Sequence, residues 1–171
     1  SLLSLMCVRA LAMAFHGMRL SSDKTESRRQ VLTMYKRMQS ELTLASSIPS
    51  IGAPTAAGTI NIDTLPTSPL SINAVVSGDA ANPYLGQGVY YWYDENEKAI
   101  YRQEDNFPKR RIVERVKSCK VSADIVAVTR STVIGTTTEF MPARMNLEVV
   151  VATINEPVKA IMELPLGTGG I

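Results

Sequence analysis

No proline interrupts the first 48 residues, and only Gly17 weakens the run, so the chain opens with what reads as one continuous helix over about residues 2–47. At 1.5 Å per residue such a rod is roughly 70 Å long, more than a domain of this size can bury, and its first half must project. Residues 2–20, LLSLMCVRALAMAFHGMRL, are apolar except for Ser4, Arg9, His16, Gly17 and Arg19. A helix apolar on all sides is either deeply buried or inserted among lipid or other helices. Its roughly 17 to 19 residues approach the 20 or so that cross a bilayer, and Leu3, Val8, Leu11, Phe15 and Met18 are the expected membrane or filament contacts. From Ser22 the apolar residues thin to Val31, Met34 or Tyr35, Met38, Leu42 and Ala45, spaced by three or four, which is an amphipathic helix. Val31, Met38 and Leu42 are therefore expected to pack on a sheet. Pro49, following Ser46 and Ser47, ends the helix.

Residues 46–88 hold five of the nine prolines and five of the ten glycines. This predicts a connecting segment on the domain surface with short strands at 59–62 and 70–76. Beyond Gly88 the pattern turns to β. In 89–93 Val89, Tyr91 and Tyr93 share one face and Tyr90 and Trp92 the other; 94–98 makes a turn and 99–103 returns as a hairpin. Strand character follows at 116–122 and 125–129, with 136–144 expected as a loop. A second hairpin alternates Met145, Leu147, Val149 and Val151 with polar neighbours, turns at 155–157 and returns over 158–164. The glycines of 167–170 are expected to fray. The parts are then 1–21 (apolar helix), 22–48 (amphipathic helix), 49–88 (variable segment) and 89–171 (antiparallel β domain). The expected fold class is α+β, a long N-terminal helix packed on an antiparallel sheet.

Composition narrows the chemistry. With 45% hydrophobic and 20% charged residues the chain is globular, and a net charge of +2 does not by itself call for nucleic acid. Cys7 and Cys119 lie in unrelated contexts, which argues against a disulfide, and His16 alone cannot supply a two-histidine zinc site. No P-loop, nucleophile elbow, CxxC or dinucleotide-binding glycine motif is present, so no catalytic residue and no cofactor is expected. Asp94, Glu95, Asn96 and Glu97 lack the spaced calcium-loop pattern and read as a turn. Eight basic against three acidic residues between Lys98 and Lys120, including Lys109-Arg110-Arg111, form the one basic cluster that phosphates would favour; a solvated strand face is the simpler reading, and nucleic acid is not the expected partner.

The helix segment AMAFHGMRLSSDKTESRRQVLTMYKRMQSEL, with its step Arg37-Met38-Gln39-Ser40-Glu41-Leu42, resembles the helix of type IV pilin-like proteins. VYYWYDENEKAIYRQ followed by RIVERVKSCKVS is similar to the aromatic hairpin and next segment of a minor pseudopilin of type II secretion (the J type) and related minor pilins. The resemblance covers about residues 10–47 and 87–129. It implies a structural subunit with no enzymatic activity, inserted in the inner membrane by one span, with its globular part in the periplasm or in an extracellular filament. The partners it implies are other pilin-like subunits and, before assembly, inner-membrane lipid. The family's Gly-Phe start with Glu at the fifth place does not occur at Ser1-Leu2-Leu3-Ser4-Leu5. Basic Arg19, Lys24, Arg28 and Arg29 after the apolar run would by the positive-inside bias place that end in the cytoplasm, opposite to the pilin orientation. Two other readings remain open: a membrane-anchored extracytoplasmic module that binds a secreted substrate or DNA, and a periplasmic enzyme carrying a signal peptide with Ala10-Leu11-Ala12 or Ala12-Met13-Ala14 near its cleavage site.

Overall fold

In the computed structural model one helix, α1 (Leu2–Thr43), is followed by nine strands, and the described residues are 2–75, 86–133, 135–154 and 156–166. Val76, Asn155 and the glycines of 167–170, on which strand, turn and fraying were expected, lie outside them. The helix follows from its sequence: good helix formers throughout, no proline, and apolar residues at three- and four-residue spacing in its second half. Strands β1 (Ala45–Ser47), β3 (Leu70–Val75), β4 (Gly86–Asp94), β5 (Ala99–Glu104) and β6 (Arg110–Val113) form one antiparallel sheet in the order β1-β3-β4-β5-β6. Strands β2 (Gly58–Ile62), β7 (Val116–Thr132), β8 (Gly135–Val151) and β9 (Val158–Pro165) form a second, in the order β2-β7-β8-β9.

The fold expectation needs correcting here. The helix does not lie on one antiparallel sheet; the body is strand-rich, 52% strand against 24% helix, and is built from two antiparallel sheets. The chain changes sheet at Glu114-Arg115, where Arg115 adopts φ +57°, a left-handed corner built without glycine. Residues 136–144 are strand rather than loop. Thr136 to Phe140 are β-branched or aromatic for the most part, and Pro142, which cannot donate to a ladder, is accommodated at a register shift opposite Asp124 and Ile125. The segment after the helix feeds both sheets, β2 to one and β3 to the other, and Leu70 and Ile72 of β3 are fully buried.

The inner faces of both sheets and one face of α1 share a single core. Helix residues Val31, Met34, Met38 and Leu42 meet Leu70, Ile72, Tyr91 and Ile100 of the first sheet and Val121, Met145, Leu147 and Val149 of the second in one buried cluster. Cys119 sits at the edge of this core beside Met38, Leu70 and Leu147, and burial pushes its thiol up to about 12 against the opposing hydrogen bond of Thr64. Two outcomes follow. In a Cys7→Ser variant at pH 8, alkylation of native protein should be about a thousandfold slower than of unfolded chain, measured by mass spectrometry. Because the native thiol holds its proton more tightly than the unfolded one, stability should fall as pH rises from about 9 to about 12, followed by denaturant titration.

The expected membrane span is also corrected. Among the described residues no helix is long and apolar enough to cross a membrane, which conflicts with a single-pass inner-membrane anchor. Arg9, near the middle of the apolar run, would be costly inside a hydrocarbon core.

Candidate functional site

The first half of α1 carries a run of exposed large apolar side chains, Leu11, Met13, Phe15 and Met18. Residues 11–19 are all exposed, Leu11, Phe15 and Met18 by 58%, 59% and 67%. These three lie at i, i+4 and i+7 and form one stripe. The backbone of Leu3 and Val8 continues the helix, and their side chains lie outside the described part of the structure. In the second half, Val31, Met38 and Leu42 are buried against the sheets together with Met34. At 3.6 residues per turn the two stripes point in nearly opposite directions: about 160° separates Phe15 from Val31 and about 200° separates Met18 from Met38. The stripe of Leu11, Phe15 and Met18 therefore faces away from the direction in which the helix meets its own sheets.

What fixes the helix on the body is polar as well as apolar. Arg102 of β5 points inward with Ile100, two residues away, and lies under the helix. Its Nε and Nη2 donate to Glu41 Oε1 at 2.9 and 2.5 Å, its Nη1 donates to Glu104, and Tyr91 Oη donates to Glu41 Oε2 at 2.5 Å. The guanidinium is 9% and the Glu41 carboxylate 14% exposed, so this is a buried ion pair with every strong acceptor engaged. Burial works against the Arg102 charge, and the hydrogen bonds of Glu41 and Glu104 outweigh it, holding the guanidinium above its ordinary value. Burial, then the Glu41 charge, pushes the Tyr91 phenol up.

A second tie sits at Asp23 and Ser27, about four to five turns before the buried stripe ends at Leu42. Arg115 Nη1 pairs with Asp23 Oδ1 at 2.5 Å, and Arg115 Nη2 donates to Ser27 Oγ at 3.4 Å. The Ile154 amide donates to Asp23 Oδ2 at 3.0 Å, and the Glu114 amide to Gln30 Oε1 at 3.1 Å. The Arg115 hydrogen bond, followed by that of Ile154, holds the Asp23 carboxyl below the usual carboxylate range. Tyr35 Oη donates to the Glu163 carbonyl at 3.2 Å, reaching the last strand. From Asp23 to Leu42 the helix is thus tied to both sheets, and over residues 11–19 its side chains are exposed.

Two cations of the basic cluster singled out in the sequence, Lys109 and Arg111, are engaged by neighbours on the aromatic hairpin. Arg111 Nη2 pairs with Glu97 Oε2 at 3.0 Å, Lys109 Nζ lies 3.9 Å from Glu97 Oε1, and both cations sit over the Tyr101 ring, at 5.7 and 4.7 Å from its centroid. Tyr101 stacks on Trp92 with centroids 5.6 Å apart, so the outer face of the aromatic hairpin is occupied by its own residues. In the 94–98 turn, Asp94 Oδ1 accepts the Asn96 and Glu97 amides at 3.0 and 3.1 Å. Among the described residues no group of three metal-ligating side chains comes together. Sequence reasoning missed Glu41 and Arg102, although the two-residue period of β5 places Arg102 on the same face as Ile100. No protein-family model matches the chain, and no curated protein or solved structure matches it either.

Proposed function

We propose that this chain is a structural subunit of a pilin-like filament, joined to neighbouring pilin-like subunits through the first half of α1. The observation that carries the reading is the exposed stripe of Leu11, Phe15 and Met18 on a helix whose following half is locked to the body. Three large apolar side chains held on one rigid face gain free energy only by leaving water, and helices of neighbouring subunits offer a matching surface. Met13, 68% exposed and on the same side of the helix as Val31, adds apolar surface on the other side, so the first half can meet neighbouring helices on more than one face. The mechanism is physical: burial of the stripe drives assembly, and the Glu41–Arg102 and Asp23–Arg115 ties transmit the position of the helix to the body.

The test is the variant Leu11→Glu/Phe15→Glu/Met18→Glu, which leaves every contact with the sheets in place. Full-length protein should form higher-order species in sedimentation velocity, with little sensitivity to salt. The variant should form nothing larger than a dimer, with an unchanged melting temperature. Wild-type protein that stays monomeric at the highest concentrations reached would overturn the proposal.

A further inference from the structure

The hairpin of β7 and β8 runs on past the rest of its sheet. Strand β2 stops beside β7 at the Gly58–Ile125 pair, and β9 stops beside β8 at the Pro165–Arg144 pair, with one more hydrogen bond from the Leu166 amide to the Ala143 carbonyl. Beyond those points β7 and β8 continue pairing with each other from Val126–Met141 to Thr132–Gly135. Among the described residues no strand lies beside either outer edge of this arm. Residues 126–127, 129–131 and 135–139 are exposed. A two-stranded ribbon with both edges open is marginal by itself, and proteins normally guard such edges with proline, lysine or a bulge. Between Val126 and Ser131 and between Thr136 and Met141 there is no proline or lysine, and threonine and valine supply strong β propensity.

We propose that this arm is a second, separate interaction surface, and that its occupant is the same arm of a second copy of the chain, added edge to edge along β8. Sterics restrict the geometry. Because β2 and β9 flank the hairpin at its base, two bodies cannot stand side by side with their arms paired; the arms overlap only with the bodies at opposite ends. That arrangement runs β8 antiparallel to its counterpart about a two-fold axis. Centred on Thr138, the pairing sets Thr138 opposite itself, Thr137 opposite Glu139 and Thr136 opposite Phe140.

The charges select this edge over the other. Within one arm Arg130 Nε lies 3.9 Å from Glu139 Oε2. Pairing along β8 keeps that contact and gives each Glu139 carboxylate a Thr137 hydroxyl from the second copy, with no like charges directly opposite. Pairing along β7 about Thr129 would set Arg130 opposite Val128, which offers the guanidinium no acceptor. A strand pair this short buries well under the roughly 1,200 Å² of a stable interface, so the arm alone gives a weak, reversible dimer that gains strength where other contacts hold subunits together.

The test is disulfide trapping in full-length Cys7→Ser protein, with Cys119 left in its half-buried place. Thr138→Cys, on the two-fold axis, should form covalent dimers about tenfold faster than Thr129→Cys at the centre of β7. A mixture of Thr137→Cys and Glu139→Cys proteins should yield mainly the mixed dimer. Both results should persist when Leu11→Glu/Phe15→Glu/Met18→Glu is added, so failure of the arm and failure of the helix stripe are told apart. Equal or faster trapping at Thr129, or no trapping above the Thr138-containing background, would overturn the proposal.

Discussion

Arg102→Ala is expected to cost about 3–5 kcal/mol of folding stability, the penalty for stranding a buried charge, and to lower the melting temperature by about 6 to 20 °C. The loss is large because Glu41 would keep only the Tyr91 hydroxyl as a donor, in a site where the carboxylate is 14% exposed. Glu104, held by the same guanidinium, would lose that partner as well. Replacing both charges by neutral groups, Glu41→Gln with Arg102→Met, should recover most of the stability, since apolar or neutral replacements of a buried pair are often nearly neutral. Arg102→Lys should fall between the two, because a single ammonium cannot reproduce the fork that spans Glu41 and Glu104. Calorimetry of the four proteins checks the order. If Arg102→Ala and the double variant lost stability equally, the cost would be one of packing and the ion pair would have no special part in anchoring the helix.

How much of this was legible in the residues depends on which physical signal each element leaves behind. The three- and four-residue spacing of Val31, Met34, Met38 and Leu42 is a local pattern, and those side chains are buried in a helix that ends at Thr43, close to Pro49. The 89–103 hairpin is equally local: alternating Val89, Tyr91 and Tyr93, then a turn in which Lys98 takes φ +49°. The division into two sheets left no such mark, because the corner is made by Arg115 where glycine would have signalled it. The long arm was concealed by Pro142, which reads as a strand breaker until a register shift is available to receive it. The Glu41–Arg102 pair joins residues 61 positions apart, a distance at which periodicity is silent; only the inward position of a charged residue in β5 hinted at a partner. The apolar count over residues 2–20 comes close to that of a membrane span, yet among the described residues no helix is long and apolar enough to make one.

The second large effect is expected at Met38, where helix and both sheets meet. Its neighbours include Leu70, Tyr91 and Ile100 from one sheet and Cys119, Val121 and Leu147 from the other, and Met38 itself is 2% exposed. Met38→Ala should therefore open a cavity that the surroundings cannot close and destabilise the protein by about 2–5 kcal/mol, while Met38→Leu should cost less than about 1.5 kcal/mol. Lys36→Ala, on the exposed side of the same helix turn, should be within about 0.5 kcal/mol of wild type. Denaturant unfolding followed by two probes gives the check. Trp92 is the only tryptophan and reports on the first sheet, whereas far-ultraviolet dichroism reports on both sheets and the helix. Because the methionine belongs to one core shared by all three parts, the two probes should lose stability together and by the same amount. A tryptophan transition that stays at its wild-type midpoint while the dichroism shifts would mean that the two sheets unfold independently, and that the helix is anchored to one of them rather than wedged between both.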